Sequence, residues 1–536
     1  MFGAGQTLTT GIAQPLPAIN PSALMNCSSP AAAGAGAVDS FVMANRASQV
    51  SDAHNSPILC SLSGASAAAP SRPEDVKLEK EFLKSTRPHI LMVTNHGIHD
   101  WEGRPGLTDT GGQNHYVRQL SDKLVDLGYR VTTYNRGGFP DPKTGEIRTG
   151  SLYKDANQRI VYLQGGGSEF IRKEDLTREI LAEEAGFAKG LIEDEGIPID
   201  LIISHYWDAA VLVQILKDGM GLSAKHVWVP HSIGTLKQEN FKGKPADIVD
   251  PLRFPERIAY EKEVLPHVDA VASTSGDITK HLTDNYGHKP ELFLPPCINT
   301  ASIHPIDDKS KIAGVYDFLA TTDPKTGGKV RGRPTILEMS RTDRTKRKDI
   351  VLRAFAEVLK DNSDAMLLLR LSQNAKELYA ELTELTDELG IRDNVVFVGM
   401  VPDELMVELF NIATIYLSPS EMEGFGMSVQ EAAASKRPTI SSSLIPFAVE
   451  YLAKDGTDET IQTADGPVKI RWGEGGTIVP AGKTEAFGHA LKTLLDDAGT
   501  RESMAAKAYE ITIPFFTWPN VTRKLLTQMG LTPPKA

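Results

Sequence analysis

The chain has 536 residues, of which 41% are apolar and 24% charged, with a formal net charge of −12; that length suits two or three domains with large cores. The acidic balance argues against a general nucleic-acid binder, whose phosphate contacts need clustered Lys and Arg. Three cysteines, at 27, 60 and 297, have no paired spacing, so neither a disulfide framework nor a zinc knuckle is implied and a reducing, cytoplasmic setting is expected; no apolar run approaches the roughly 20 residues of a membrane span.

Residues 1–80 are read as a disordered extension. "SSPAAAGAGAV" and "LSGASAAAPSRPED" are rich in Ala, Ser, Gly and Pro and cannot bury enough surface to offset ordering entropy. An organelle-targeting peptide and a plain linker both remain open for it. From residue 88 the chain alternates. "HILMVTN" (89–95) reads as a buried strand, "NHYVRQLSDKLVDLG" (114–128) as a helix closed by Gly128, and "RVTTYN" (130–135) as the next strand. Further strands are expected at 200–205, 226–232 and 269–275. A polar, Gly- and Lys-rich stretch, 321–334, is expected to be the linker between an N-terminal domain (81–320) and a C-terminal one (335–512). The second series runs strand 335–340, helix 349–361, strand 365–372, helix 375–390, strand 394–400, helix 403–413 and strand 414–420, then an Ala-rich helix. A last helix within 513–536 is expected to cross back onto the first domain, with Phe515, Phe516 and Trp518 as candidate anchors. This is an α/β protein of two doubly wound, Rossmann-like domains. Open sheets of that kind bind ligands beyond the C-terminal ends of their strands, so the two domains should face each other across a cleft.

Each distinctive residue lies just beyond such a strand end. In "DTGGQNHY" (109–116), Gly111 and Gly112 open a helix, where bare backbone suits a diphosphate or a sugar; a flexible turn explains them equally. In "PHSIGTLK" (230–237), His231 suits a substrate hydroxyl and Lys237 an anion, although such residues are more often structural or solvated. "SRTDRTKRKD" (340–349) is a basic run that would ordinarily be a solvated loop. Opening into the cleft of an acidic protein, it suits a leaving diphosphate instead. "SEMEGFGMSVQE" (420–431) places Glu423 in a loop and Glu431 one turn into the Ala-rich helix, with Gly424 and Gly426 baring the amides between them. Ser428 and Glu431 also have the spacing of a helix capping box, a purely structural role. The alternative is that the two acids hold the two ends of a nucleotide sugar, with diphosphate at the positive helix end.

Taken together, these segments resemble the retaining glycosyltransferases of family 4, with the GT-B fold. "EGFGMSVQE" fits that family's E-x7-E signature. The N-terminal half is similar to sucrose-phosphate synthases and their relatives through "DTGGQNHYVRQL", "YLQGGGSEFIRKEDL", "SHYWDAA", "PHSIGTLK", "STSGDI", "LPPCINT" and "SRTDRTKRKD", in the family's order from about residue 88 to 510. The resemblance implies that Glu423 contacts the donor hexose and Glu431 the ribose, with Gly424, Phe425 and Gly426 lining the donor. It implies that Arg341 and Lys346 neutralise the leaving diphosphate, and that His231 bonds the transferred sugar. Gly112 would approach the donor, while Gly111, Gln113 and Lys237 border the acceptor.

By the same resemblance no metal and no cofactor is needed. The substrates would be a nucleotide sugar, UDP-glucose or GDP-mannose, and a small sugar-like acceptor; neither nucleic acid nor an integral membrane segment is expected. Three departures from the family pattern stand out. The basic loop is one residue longer, so Lys346 is preferred over Arg347 or Lys348 only by the alignment of "IVLRAF". "SSSLIPF" (441–447) replaces a Gly-Gly-Pro turn. Ser168 and Glu169 stand where relatives carry a Lys for the acceptor phosphate, which counts against fructose 6-phosphate. Competing readings are a transferase for glycerate-like, glycan or lipid acceptors and a catalytically silent sugar-nucleotide sensor. A nucleotide-sugar epimerase on the same fold is disfavoured by "DTGGQ".

Overall fold

The computed structural model describes residues 73–102 and 111–534. Its first sheet contains β1 (His89–Val93), β2 (Arg130–Arg136), β3 (Ser151–Asp155), β4 (Gln158–Leu163), β5 (Leu201–His205), β6 (Lys225–Val229), β7 (Ala270–Ser273) and β8 (Leu292–Phe293). They lie in the order β3-β4-β2-β1-β5-β6-β7-β8, all parallel except the β3 edge. The second sheet contains β9 (Thr335–Glu338), β10 (Met366–Arg370), β11 (Val395–Val398), β12 (Ile415–Ser418), β13 (Thr439–Ser442), β14 (Thr457–Thr463), β15 (Gly466–Trp472) and β16 (Thr477–Val479). Their order is β11-β10-β9-β12-β13-β16-β15-β14, with a polar antiparallel hairpin, β14–β15, at the outer edge.

The apolar runs dictate this arrangement. Ile90, Leu91, Met92 and Val93 are fully buried, as are Met366 to Leu369, so both strands must be covered on both faces, which parallel sheets achieve with crossover helices. Register follows: Ile90 pairs with Val131 on one side and Leu201 on the other. Each such side chain contributes roughly 1.5–3 kcal/mol through burial. Each sheet thus separates two apolar layers. The strand order reverses between β1 and β5 in the first sheet and between β9 and β12 in the second. At these switch points helices leave on opposite faces, opening a crevice at the strand ends. Two Rossmann-like domains with this arrangement constitute the GT-B fold.

Three expectations need correction. Residues 1–72 lie outside the described residues, but Pro73–Lys84, which begins within the extension expected to be disordered, is a helix. Its Phe82 is fully buried beside Leu78, Tyr153 and Ile197, an anchor that composition alone does not reveal. The expected linker, 321–334, is packed rather than free. Thr326 Oγ1 donates to the Val395 carbonyl (3.0 Å), Arg392 pairs with Asp323 (3.0 Å), and Gly327 sits against the Leu319 backbone where no Cβ fits. The chain leaves the first sheet earlier: Leu294 and Cys297 belong to a core layer of that sheet, Ile298 and Ile303 to one of the second. There Ile298 bridges Thr517, where the chain returns. Phe515, a candidate anchor, is 63% exposed, because Phe516 and Trp518 fill the two available sites. Phe516 joins Phe425, Phe447 and Tyr451, while Trp518 packs on Tyr116 and donates to Gln119 (2.7 Å). The helix Trp518–Gln528 then lies on the first domain through Val521, Leu525 and Leu526.

Candidate active site

The loop after β9 and the loop after β12 meet at the second switch point. Arg344–Lys346 forms a short turn whose buried Lys346 Nζ donates to Glu423 Oε1 (2.7 Å), the Met422 carbonyl (2.8 Å) and Ser420 Oγ (3.3 Å). The two neighbouring cations are committed elsewhere. Lys348 is buried against Glu338 and Ser340, and Arg347 pairs with Asp349 and Glu421. Arg341 leaves its side chain largely exposed, with Asp343 at 3.8 Å. Gly424 has open space around it. Gly426 has φ of +103° and no room for a side chain, since a Cβ would meet Ile445 Cγ2 at 2.4 Å. The helix Met427–Ala434 starts directly after it, with free amides and no side-chain cap, a ready site for negative charge.

Glu431 lies in the second turn of that helix, and no side-chain hydrogen bond engages its carboxylate among the described residues. Burial pushes its pKa up to about 7, partly offset by Arg370. The capping-box alternative fails on this geometry. Ser428 is inside the helix and Gly426 is the N-cap, so Glu431 is too far along to reach an N-terminal amide. The Phe425 ring is buried with Phe447, Tyr451 and Phe516, and its carbonyl accepts from Phe447 N (2.8 Å).

The first sheet supplies the facing edge. The helix Gly112–Asp126 begins beside β1, and the Gln113 amide donates to Thr94 Oγ1 (3.0 Å). A Cβ on Gly112 would lie 3.9 Å from Met427 Sδ, so the two domains meet here; Gly111 is unencumbered, and residues 109 and 110 of the motif lie outside the described residues. His231 follows β6 in a left-handed conformation (φ +53°), which is unusual for a non-glycine residue. Its Nε2 lies 2.9 Å from His205 Nδ1, and burial lowers its pKa to about 3, leaving it neutral. His96 differs, because Asp208 at 3.0 Å outweighs the cost of burial and raises its pKa.

The first domain also holds a cavity of about 390 Å³, with Lys237 and Arg257 in its lining. Lys237 Nζ and Arg257 Nη1 converge on the Tyr206 hydroxyl, at 3.0 and 2.7 Å. Burial alone would raise the Tyr206 pKa, but Arg257 and Lys237 pull it down to about 8. Glu261 fixes the guanidinium from behind, accepting from Arg257 Nε (2.7 Å) and the Gly234 amide (2.8 Å). Lys173 and Arg253 add cations to the lining, each paired with a glutamate that also lines it, Glu174 (2.9 Å) and Glu256 (3.5 Å), and Glu179 is a third acid there. Glu169 is exposed and does not line this cavity; only its carbonyl is engaged, by Arg136 (3.0 Å). Among the described residues no three His, Cys, Asp or Glu side chains converge as metal ligands, and no helix is long and apolar enough to cross a membrane.

Two family models match the chain: "Glycosyltransferase Family 4" over residues 110–301 and "Glycosyl transferases group 1" over 320–511. This chain belongs to the GT-B glycosyltransferases of family 4. The glycosyltransferase is 29% identical to the mannosylfructose-phosphate synthase of Agrobacterium fabrum, over 66% of its own length and 76% of that protein's. It is 26% identical to a D-inositol 3-phosphate glycosyltransferase of Corynebacterium diphtheriae, over 80% and 91%. Its fold matches a sucrose-phosphate synthase from Thermosynechococcus elongatus with a TM-score of 0.62 at 21% identity, covering 82% of this chain and 98% of that one.

The glycosyltransferase thus brings Lys346 and Glu423 into contact and sets Gly112 against the helix that carries Glu431. It sets Lys237 apart, on a hydroxyl that it shares with Arg257, and pairs His231 with His205; sequence reasoning missed Tyr206, Arg257 and His205. Tyr206 and His205 lie in "SHYWDAA", a stretch whose order was visible but whose individual roles were not. Arg257 carried no signal, being one basic residue on an ordinary helix, Phe254–Val264.

Proposed function

We propose that this enzyme is a retaining glycosyltransferase that moves a hexose, glucose in the first instance, from a nucleotide sugar to a phosphorylated small-sugar acceptor. The observation that carries the acceptor class is that Lys237 and Arg257, which line the cavity of the first domain, converge on the buried Tyr206 hydroxyl behind it. Two fixed cations and an acidified hydroxyl give this region the positive charge that a phosphate monoester needs. The two curated relatives named above also carry a phosphorylated sugar or cyclitol in their names. Glu169 lies outside the cavity lining; of the three acids inside it, Glu174 and Glu256 are paired with Lys173 and Arg253.

On the donor side, Glu423 accepts from hexose hydroxyls while Lys346 holds its carboxylate in place, and Glu431 accepts from the ribose. The leaving diphosphate sits at the N-terminus of the helix Met427–Ala434, where Arg341, Lys346 and the free amides stabilise charge as it develops. His231 bonds the transferred hexose. The acceptor hydroxyl attacks on the face from which the diphosphate leaves, so the anomeric configuration is kept without a protein nucleophile. The test is Lys237→Met assayed with the phosphorylated acceptor. It is expected to raise acceptor KM at least tenfold and leave donor KM unchanged. An unchanged acceptor KM contradicts the assignment of the cavity.

A further inference from the structure

We propose that His205 is a positioning residue for His231: its Nδ1–H donates to His231 Nε2, which places the single proton of the neutral His231 ring on Nδ1. The inference deepens the reading of His231 as the residue that bonds the transferred hexose, and rests on it.

The rings face each other at a centroid distance of 5.2 Å and an interplanar angle of 26°, with 2.9 Å between His205 Nδ1 and His231 Nε2. The edge of Tyr116 meets both rings, at 6.0 Å and 4.7 Å between centroids, and its hydroxyl is tied to the Leu294 carbonyl (3.0 Å). His205 ends β5 and is fully buried. The pair is therefore held from three elements, and neither ring is free to turn. Burial keeps both imidazoles neutral, so each carries one N–H and one bare nitrogen.

Two proton arrangements satisfy the bond between them. If His231 Nε2–H were the donor, the proton of His205 would have to sit on Nε2, which is buried and has no partner. An orphaned buried N–H is among the least tolerated polar defects in a folded protein. In the other arrangement His205 donates through Nδ1, and only a bare lone pair is left at its Nε2. His231 Nδ1, which has no protein partner among the described residues, then carries a proton that can be donated to a hexose hydroxyl or to a departing oxygen. A neighbouring group that selects the tautomer of a working histidine is a general device for fixing which atom donates. His231 also has a left-handed backbone conformation, uncommon outside glycine although histidine adopts it more often than most residues.

The experiment uses the full-length enzyme in three forms: wild type, His205→Leu and His205→Asn. Asn restores an N–H donor near the place of Nδ1, and Leu fills the volume without one. Expected is a fall in kcat of at least tenfold for His205→Leu at saturating donor, with acceptor KM within about twofold, and recovery to within about threefold for His205→Asn. In parallel, 15N spectra of the histidine rings should show His231 protonated at Nδ1 in the wild type and a mixture of tautomers in His205→Leu. A wild-type spectrum with His231 protonated at Nε2 overturns the proposal, as does equal loss in the Asn and Leu variants or wild-type kcat in His205→Leu. The spectrum does not depend on catalysis. If His231→Ala turned over normally, the role given to His231 would fail while the tautomer result could still stand.

Discussion

Lys346 is held by three oxygens and is almost fully buried, yet it sits in a loop rather than in a core element. A buried ammonium is tolerated only when paired, and here its partner is Glu423, the acid expected to meet the donor hexose. Lys346→Ala should therefore reduce turnover at least 100-fold and also release Glu423, so donor KM rises as well; steady-state kinetics with circular dichroism to confirm folding checks this. Glu431 presents the opposite case, a half-buried acid whose carboxylate has no hydrogen-bond partner among the described residues. Its folded pKa of about 7 lies above its ordinary value of 4.5. The folded state therefore prefers the proton, and the favourable contribution is complete below about 4.5 and lost as pH rises through 7. Glu431→Gln should then raise Tm at pH 8 and leave it unchanged at pH 4, while weakening nucleotide-sugar binding at pH 8, as read by calorimetric melts and donor titration. The acids were legible in sequence because charge beside glycine after an apolar strand is conspicuous. Arg257 and His205 were not, because their significance comes from partners 51 and 26 positions away in the chain.

At the scale of elements, the buried strands announced themselves. "HILMV" and "MLLLR" are continuous apolar runs because both faces of each are covered. The β14–β15 hairpin did not, since "TDETIQT" is almost entirely exposed and lacks an apolar face. The helix Tyr206–Met220 was missed for the converse reason: it is buried nearly all round, so the polar stripe that reveals a helix is absent. The turn that launches the helix Met427–Ala434 is the element on which donor binding depends most. Gly426 combines φ of +103° with contact against Ile445. Gly426→Ala should cost about 2–4 kcal/mol of stability and displace the helix start. The checks are a lower Tm and a donor KM raised more than the acceptor KM.

At the scale of the molecule, the two sheets are joined by more than the chain. The Gln430 side chain donates to the Pro296 carbonyl (2.9 Å), and the Glu450 carboxylate accepts from the Gly276 amide at the start of the helix Gly276–Tyr286. Together with Met427 against Gly112, these contacts tie the two domains along the cleft. A closed cleft keeps water from an activated sugar. Glu450→Ala should raise the ratio of nucleotide-sugar hydrolysis to transfer severalfold with little change in donor KM, read from free hexose and product in the same reaction.

On this reading a phosphorylated small sugar accepts a hexose from a nucleotide sugar. The most direct measurement is product mass and nucleotide release from the purified enzyme, with UDP-glucose and GDP-mannose each paired with fructose 6-phosphate and with fructose. The account predicts retained-configuration transfer to the phosphorylated acceptor, with kcat/KM at least 100-fold above that for fructose. Equal transfer to both acceptors, or transfer to neither across phosphorylated hexoses and cyclitols, would contradict it.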